Sequence, residues 1–399
     1  MPTTIPLYSP IWSIALFLVS LLTVGLVGRC RAFKLPDYPA NKRLGELDGF
    51  RGVLAFGVFV THAATTYVFR TSGTWTWPNS SFYTMCGHFP VALFFMITGF
   101  LFWRRSILRK QEWGDFFVSR VLRLLPLYVV ATMVLMVYVG MLTRWRFNES
   151  SVKIMLEVLQ WMAMGVLGRP DVNGLAHTTV INTATWTLRE ETLFYLSLPL
   201  LAFFATGPRF LLLCTVLTPA FLWRAEATGG RIWLHFLFGM ATAHLHVRFP
   251  RVSFFRSGAA AGLCLAILAA AWAAGLHQYE LLNAAVAFPL FVCVVYGNPL
   301  FGLLRIREVR WLGEISYSIY LLHCLVLFGM FWLFDELIGV QSMTPIVYWG
   351  GCAIVLVVVI ILSTITFLKI ERPFMQQDPR KVLKYLYYLW RRPKQTSEL

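Results

Sequence analysis

Charge is scarce in this 399-residue chain, and acidic charge is the scarcest. Only 14% of the residues are charged and 58% are hydrophobic, whereas a soluble globular domain carries roughly 25% charged residues. The 19 acidic residues face 35 Lys and Arg, but the basic residues form short clusters between long apolar runs. That arrangement sets membrane topology, so we expect an integral membrane protein and no nucleic-acid partner.

Several motifs of soluble enzymes are also missing. The seven cysteines are scattered, and their spacing suits neither zinc nor a redox pair. The chain shows no internal repeat, no Gly-rich phosphate loop and no Ser-centred nucleophile elbow. We therefore expect no disulfide framework and no metal.

Long apolar runs fill most of the chain. A helix that crosses the roughly 30 Å hydrocarbon core needs about 20 apolar residues. Eleven runs approach that length, at residues 11–28, 50–69, 88–103, 121–143, 186–206, 210–223, 232–247, 258–276, 280–298, 312–334 and 346–368. They predict an all-α, polytopic transmembrane helix bundle of about 11 spans. Residues 154–167 are too short and interrupted to span, and are predicted to form an interfacial or re-entrant helix.

The basic clusters predict the orientation of the spans. The first run is followed, not preceded, by basic residues, so it is expected to be a retained anchor. With the N-terminus outside, most basic residues fall on the inner side and the C-terminus is cytoplasmic. The predicted domains are an N-terminal anchor and linker (1–45), a membrane core (46–375) and a basic amphipathic tail on the inner leaflet (376–399).

Ionisable side chains inside spans are costly and are functional candidates by default. Arg51 and His62 lie eleven residues apart on the second run. Eleven steps of about 100° bring both side chains to the same face, about 16.5 Å apart along the axis. This spacing predicts one groove for an elongated ligand, with its anionic end at Arg51 and its reactive end at His62.

Two further clusters carry charge into the spans. Arg120 and Arg123 lie one turn apart, where two guanidinium forks can converge on phosphate oxygens, or simply fix orientation and bind lipid head groups. Glu191 precedes Tyr195 by one turn and could orient an imidazole or a substrate hydroxyl. For the other polar residues in the spans an interior hydrogen bond is expected, namely His235, His244, His246, Glu314 and His323.

Six segments carry a family resemblance. They are Leu47-Asp48-Gly49-Phe50-Arg51-Gly52 with His62, Phe94-Phe95-Met96-Ile97-Thr98-Gly99-Phe100-Leu101, Arg120-Val121-Leu122-Arg123-Leu124-Leu125-Pro126, Trp186-Thr187-Leu188-Arg189-Glu190-Glu191 with Phe194-Tyr195, Leu312-Gly313-Glu314-Ile315-Ser316-Tyr317-Ser318-Ile319-Tyr320-Leu321-Leu322-His323, and Glu371-Arg372-Pro373. Together they resemble the membrane acyltransferase-3 family, whose members O-acylate envelope saccharides and some small molecules. The family core has ten spans, which leaves residues 11–28 as an extra span. Thr98, Arg189, Glu190 and Glu314 depart from the family pattern, and the charges at 189 and 190 bear on the outer acceptor pocket.

The resemblance implies a function and roles for five residues. An acyl group, most simply acetyl, would pass from cytoplasmic acetyl-CoA to a hydroxyl of an envelope saccharide such as lipopolysaccharide O-antigen, which can be lipid-linked. Arg120, Arg123 and Arg51 would bind the coenzyme, while His62, Arg51 and Glu191 would serve catalysis, with His62 as general base. The expected location is the bacterial cytoplasmic membrane.

Three alternatives stay open on the sequence alone. The acceptor could be a secreted small molecule such as a macrolide sugar. A separate extracytoplasmic enzyme could complete the transfer. Interior charges and a basic inner rim also suit a non-catalytic transporter or flippase of an anionic or lipid-linked substrate, although the paired broken helices of transporters are not evident.

Overall fold

The chain folds into a bundle of α-helices, as its apolar runs predict. The computed structural model describes residues 5–30, 33, 45–108, 111–206, 208–223, 230–275 and 280–391. Within these residues the regular structure is helical, and β pairing is limited to one isolated bridge between Val172 and Leu175. The all-α fold class is confirmed.

Each of the eleven predicted runs forms helical structure. The first half of the chain contains α1 (Ile11–Arg29), α2 (Gly45–Ser72), α3 (Ser81–Ile107), α4 (Trp113–Leu142), α5 (Ser151–Met162), α6 (Thr178–Ile181) and α7 (Trp186–Leu201). The second half contains α8 (Arg209–Trp223), α9 (Gly230–Arg248), α10 (Gly258–Ala273), α11 (Glu280–Val295), α12 (Arg307–Glu314), α13 (Ser316–Leu337), α14 (Pro345–Thr366), α15 (Arg372–Met375) and α16 (Pro379–Arg391).

Six helices in the described chain are long and apolar enough to cross a membrane. They are α1, α2, α3, α4, α13 and the continuous helix Pro345–Met375, which joins α14 to α15. The other predicted spans, α7 to α11, have 15 to 19 residues, which is below the usual crossing length of about 20. A polytopic helical membrane protein is therefore established, and the total of eleven spans stays a prediction.

Several helix boundaries differ from those predicted, and two of the differences bear on the site. Helix α2 begins at Gly45, five residues before the apolar run, with Glu46 and Asp48 in its first turn, where carboxylates favour a helix N-terminus. Arg51 therefore lies in the second turn of a 28-residue helix. The run 312–334 is divided at Ile315 between α12 and α13, a break that apolar composition does not reveal.

The predicted non-spanning helices are also present. Helix α5 has 12 residues, too few to span, and its apolar side chains Val152, Met155, Leu156 and Leu159 are exposed. In the tail, α16 is a helix tied to α4 by an exposed ion pair of 3.0 Å between Arg380 Nε and Asp115 Oδ2. The membrane contacts of both helices stay predictions, and residues 392–399 of the tail lie outside the described residues.

Helix α2 occupies the centre of the bundle and packs against α3, α12 and α13. Its residues Leu47 and Phe50 belong to a large apolar core shared with α3, α4, α7, α9 and α11. Further along, Phe59 and Ala63 belong to a second core shared with α1, α13 and α14. Helix α1 packs on α14 and α12 at one edge. The two cores hold α2 on all sides, so its polar residues face protein.

Two glycines allow α2 and α12 to touch. A Cβ atom built on Gly52 would overlap the backbone oxygen of Val309, and one built on Gly313 would overlap the backbone oxygen of Asp48. A backbone atom cannot move aside as a flexible side chain can. The glycines therefore fix the distance between the two helices, and with it the position of Arg51 next to Gly52.

We predict that Gly52→Ala destabilises the protein. The added methyl group must push α12 away from α2, and overpacking of this kind costs about 1–3 kcal/mol. The midpoint of thermal unfolding in detergent should fall, measured on the purified protein.

Gly350→Ala on α14 is the matched control, because no atom lies within 4 Å of a Cβ at that position. Alanine is the better helix former by about 0.8–1.0 kcal/mol, so this variant should be unchanged or more stable. Equal midpoints for the two variants would contradict the close approach.

Candidate functional site

Two cavities lie side by side within the described part of the bundle. We call the first the arginine cavity, since Arg51, Arg105, Arg120 and Arg123 line it, and its volume is about 260 Å³. The second is the histidine cavity, lined by His62, His88 and His235, with a volume of about 220 Å³. Three residues, Val91, Phe95 and Tyr320, line both. They form the wall between the two spaces.

The arginine cavity carries a large excess of positive charge. Three helices supply its guanidinium groups: α2 gives Arg51, the end of α3 gives Arg105, and α4 gives Arg120 and Arg123. Glu191 is the one carboxylate among the described residues that line it. Four cations against one anion around one cavity favour a ligand with several negative charges.

The predicted arginine pair is held in place mainly by non-ionic contacts. The guanidinium carbon of Arg120 lies 4.9 Å from the centre of the Phe102 ring, and its buried Nε has no hydrogen-bond partner. A terminal nitrogen of Arg123 lies 3.9 Å from the sulfur of Met375. In the described chain neither arginine forms an ion pair with a carboxylate, so both keep donors for a ligand.

Glu191 belongs to the arginine cavity. Its Oε1 accepts a hydrogen bond from the Tyr195 hydroxyl, one turn further along α7, and another of 3.3 Å from Thr98 Oγ1 on α3. Thr98 keeps the hydroxyl of the family's usual serine. Orientation of an imidazole or a substrate hydroxyl by Glu191 stays a prediction. The ring of His62 meets not Glu191 but another histidine.

That histidine is His323 on α13. His62 Nδ1 and His323 Nε2 are 2.7 Å apart. The planes of the two rings are nearly parallel, at 16°, and their centres are 4.9 Å apart, so the two rings meet edge to edge. The other ring nitrogen of His323, Nδ1, lies 2.9 Å from the backbone oxygen of Ile319. His323 is fully buried, whereas His62 is half-buried and lines the histidine cavity.

Cys324 lies beside this pair. Its sulfur is 3.6 Å from His62 Nδ1 and 3.3 Å from His323 Nε2, so three ligand-type atoms lie within 4.8 Å of one another. Two nitrogens on one tetrahedral zinc, each at about 2.0–2.1 Å, would lie about 3.3 Å apart. The observed 2.7 Å between the imidazoles matches a hydrogen bond instead.

The histidine cavity is otherwise uncharged. Trp77, Trp186 and Tyr320 contribute aromatic surface, and Val58 and Ile232 contribute aliphatic surface. None of the described residues that line it is an acidic, lysine or arginine side chain. The cavity therefore suits a neutral group, in contrast to its neighbour.

The single groove predicted from Arg51 to His62 is not observed. Both residues lie on α2, but Arg51 lines the arginine cavity and His62 lines the histidine cavity. Tyr320 stands between them with its hydroxyl 2.7 Å from Thr187 Oγ1, which ties α13 to α7. Helical spacing places two residues on one face, but the side chains of α3 and α13 decide whether that face lines one space or two.

The two extra charges at the start of α7 stay outside both cavities. A terminal nitrogen of Arg189 pairs with Glu190 Oε1 at 3.0 Å, and the indole nitrogen of Trp233 donates to Glu190 Oε2 at 3.0 Å. Neither residue lines the histidine cavity. These departures from the family pattern therefore do not add charge to that space.

Several residues at the site were not singled out from the sequence. The sequence predicts only an interior hydrogen bond for His323, and it predicts no site role for Cys324, Arg105 or His88. His323 carries one signal, because it ends the resembling segment that begins at Leu312. No spacing rule connects it to His62, because 261 residues separate the two.

Comparison with known proteins assigns the chain to a family. A family model described as an acyltransferase domain matches residues 44–364, which is most of the chain. The matched range includes the arginines of the arginine cavity and the histidines of the histidine cavity. Neither a curated protein nor a solved structure matches the chain. Helix α1 precedes the matched residues. The chain belongs to the acyltransferase-3 family and is a membrane acyltransferase.

Proposed function

We propose that this protein transfers an acyl group, most simply acetyl, from cytoplasmic acyl-CoA to a hydroxyl of an envelope saccharide such as lipopolysaccharide O-antigen. The observation that carries the proposal is the pair of adjacent cavities. One is strongly cationic, and the other is uncharged and contains a histidine. A donor with a polyanionic head and a neutral reactive end requires this combination.

The arginine cavity would bind the coenzyme phosphates. Among the described residues Arg120 and Arg123 form no ion pair with a carboxylate, although Arg120 hydrogen-bonds to Tyr195. Their guanidinium forks match phosphate oxygens in geometry and charge. Arg51 contributes a third cation from the opposite helix, α2. The arm of the coenzyme would then extend along α2 toward His62. This path requires the wall side chains Val91, Phe95 and Tyr320 to move aside when the donor binds, because the wall separates the two cavities in this structure.

In the histidine cavity, His62 would act as general base. The acceptor hydroxyl loses its proton to His62 Nε2 while its oxygen bonds to the thioester carbonyl carbon. The carbon–sulfur bond then breaks, and the departing sulfur takes the proton from His62. Ester and free CoA are the products, and His62 returns to its starting state.

The acceptor would enter the histidine cavity. Trp77 is half-exposed, and with Trp186 it offers flat aromatic surface to an uncharged ring. This surface supports a saccharide, which can be lipid-linked, and equally the sugar of a macrolide. Mass spectrometry of envelope glycans with and without the protein separates these acceptors, since only the first predicts loss of an acetyl group from the envelope.

The expected setting is the bacterial cytoplasmic membrane, with the N-terminus outside and the C-terminus cytoplasmic. This orientation is supported by the basic clusters of the sequence. It places the arginine cavity toward the coenzyme pool and the histidine cavity toward the acceptor. A separate extracytoplasmic enzyme is needed only if the purified protein consumes acetyl-CoA without acylating a saccharide.

We predict that His62→Ala abolishes transfer. A positioned general base contributes about 10² to 10⁴-fold to the rate, so kcat for CoA release from acetyl-CoA in the presence of acceptor should fall by that factor. The measurement is thiol release from the detergent-solubilised protein, together with mass analysis of the acceptor.

His244→Ala is the control, because His244 stacks on Phe210 and lines neither cavity. It should keep wild-type kcat. Undiminished transfer by His62→Ala would refute the general-base role. Binding of acetyl-CoA without any consumption by the wild type would favour transport over chemistry.

We predict that Arg123→Gln weakens acetyl-CoA binding. A hydrogen bond to a charged group contributes about 1.5–3 kcal/mol, so KM for acetyl-CoA should rise at least about tenfold. Acetyl-pantetheine has the thioester but no phosphates, and its KM should be nearly the same for wild type and variant.

Arg209→Gln serves as the control, because Arg209 is exposed and packs on Phe203 away from both cavities. It should leave both KM values unchanged. If Arg123→Gln raised the two KM values equally, Arg123 would not be a phosphate ligand.

A further inference from the structure

We infer that His323 is the positioning residue that sets the tautomer of His62 and so leaves Nε2 of His62 free to accept a proton. This inference rests on the proposed function, in which His62 is the base. The contact with His323 determines which of the two ring nitrogens of His62 accepts the proton.

The hydrogen-bond chain fixes the protons one at a time. It starts at the backbone oxygen of Ile319, which can only accept, so His323 Nδ1 carries a hydrogen and donates it. In a neutral imidazole the other nitrogen is then bare, so His323 Nε2 is an acceptor. His62 Nδ1 lies 2.7 Å from it and must donate. His62 therefore has its proton on Nδ1.

The two alternatives are unfavourable. If His62 carried its proton on Nε2, two bare nitrogen lone pairs would face each other at 2.7 Å. If His323 were doubly protonated, a charge would lie on a fully buried side chain, which is costly without a partner. The weak S–H donor of Cys324, 3.3 Å from His323 Nε2, does not replace the shorter bond.

The remaining nitrogen of His62 is the one available to substrate. The hydrogen bonds described for the His62 ring are made through Nδ1, to His323 and more weakly with Cys324. Nε2 is therefore left with its lone pair on a residue that lines the histidine cavity. The hydrogen bond made by one nitrogen of a histidine determines which nitrogen is free to react. Here that hydrogen bond comes from α13, the helix packed against α2.

The same contact assists the step that follows. When Nε2 accepts the hydroxyl proton, His62 becomes a cation and its Nδ1–H bond to His323 becomes charge-assisted, which is roughly twice as strong as a neutral one. His323 keeps its own proton and contacts no reacting atom. Its role is to orient His62 and to stabilise the charge that His62 acquires.

The direct test is ¹⁵N magnetic resonance of the full-length protein labelled at histidine, with the His62 signals assigned by comparison with His62→Gln. In the unliganded wild type we expect His62 to have a protonated Nδ1 and an unprotonated Nε2. The opposite pattern would overturn the inference. This readout needs no active or correctly folded His323 variant.

Kinetics supply the second test, with two variants at one position. Gln can place its side-chain oxygen near the former Nε2 and accept from His62, so His323→Gln should keep kcat within about tenfold. Leu fills similar space but has no hydrogen-bond acceptor. His323→Leu should therefore lower kcat by about 10²-fold, which approaches the loss expected for His62→Ala. KM for acetyl-CoA should stay constant in both, because neither touches the arginine cavity.

The outcomes separate this inference from the proposed function. Wild-type kcat in His323→Leu refutes the role of His323 and leaves His62 as base if His62→Ala is inactive. Undiminished activity in His62→Ala refutes both. Equal losses in the Gln and Leu variants, with equal falls in thermal stability, would show a purely structural histidine.

Discussion

The cost of placing polar groups within a membrane-spanning bundle governs the structure. Water cannot satisfy a charged or hydrogen-bonding side chain at that depth, so each such group must meet protein or line a cavity. Around the two cavities these groups are sorted by charge. Four guanidinium groups line one cavity, three imidazoles line the next, and the carboxylate of Glu191 is held by two hydroxyl groups.

Helix α2 links the two cavities because it contributes a residue to each. Its second turn is held against α12 through Gly52, which places Arg51, and its middle is held against α13 by the imidazole contact of His62. Displacement of α2 along its axis would disturb both ends together. In the proposed function, donor binding and base catalysis would therefore depend on the same helix.

Helix α13 has the complementary role. Tyr317 donates a hydrogen bond of 2.8 Å to the backbone oxygen of Leu124 on α4, next to the arginine pair. Tyr320 contributes to the wall between the cavities, and Ser318 bonds to the buried carboxylate of Glu371 beyond α14. His323 then completes the dyad with His62. One short segment thus reaches the arginine cavity, the wall and His62, which gives a physical reason for its dense polar pattern.

The sequence by itself determined that this is a helical membrane protein, where its helices lie, and that Arg51, His62, Arg120, Arg123 and Glu191 are its unusual interior charges. Apolar length and helical periodicity are local properties, and local properties can be read from a chain. Only the tertiary structure decided that Glu191 lies with the arginines, that a wall divides the expected groove, and that His323 meets His62. Those facts depend on which helices pack against each other. The contacts between α2, α3, α7 and α13 join residues that are far apart in the chain, and no local sequence pattern predicts such contacts.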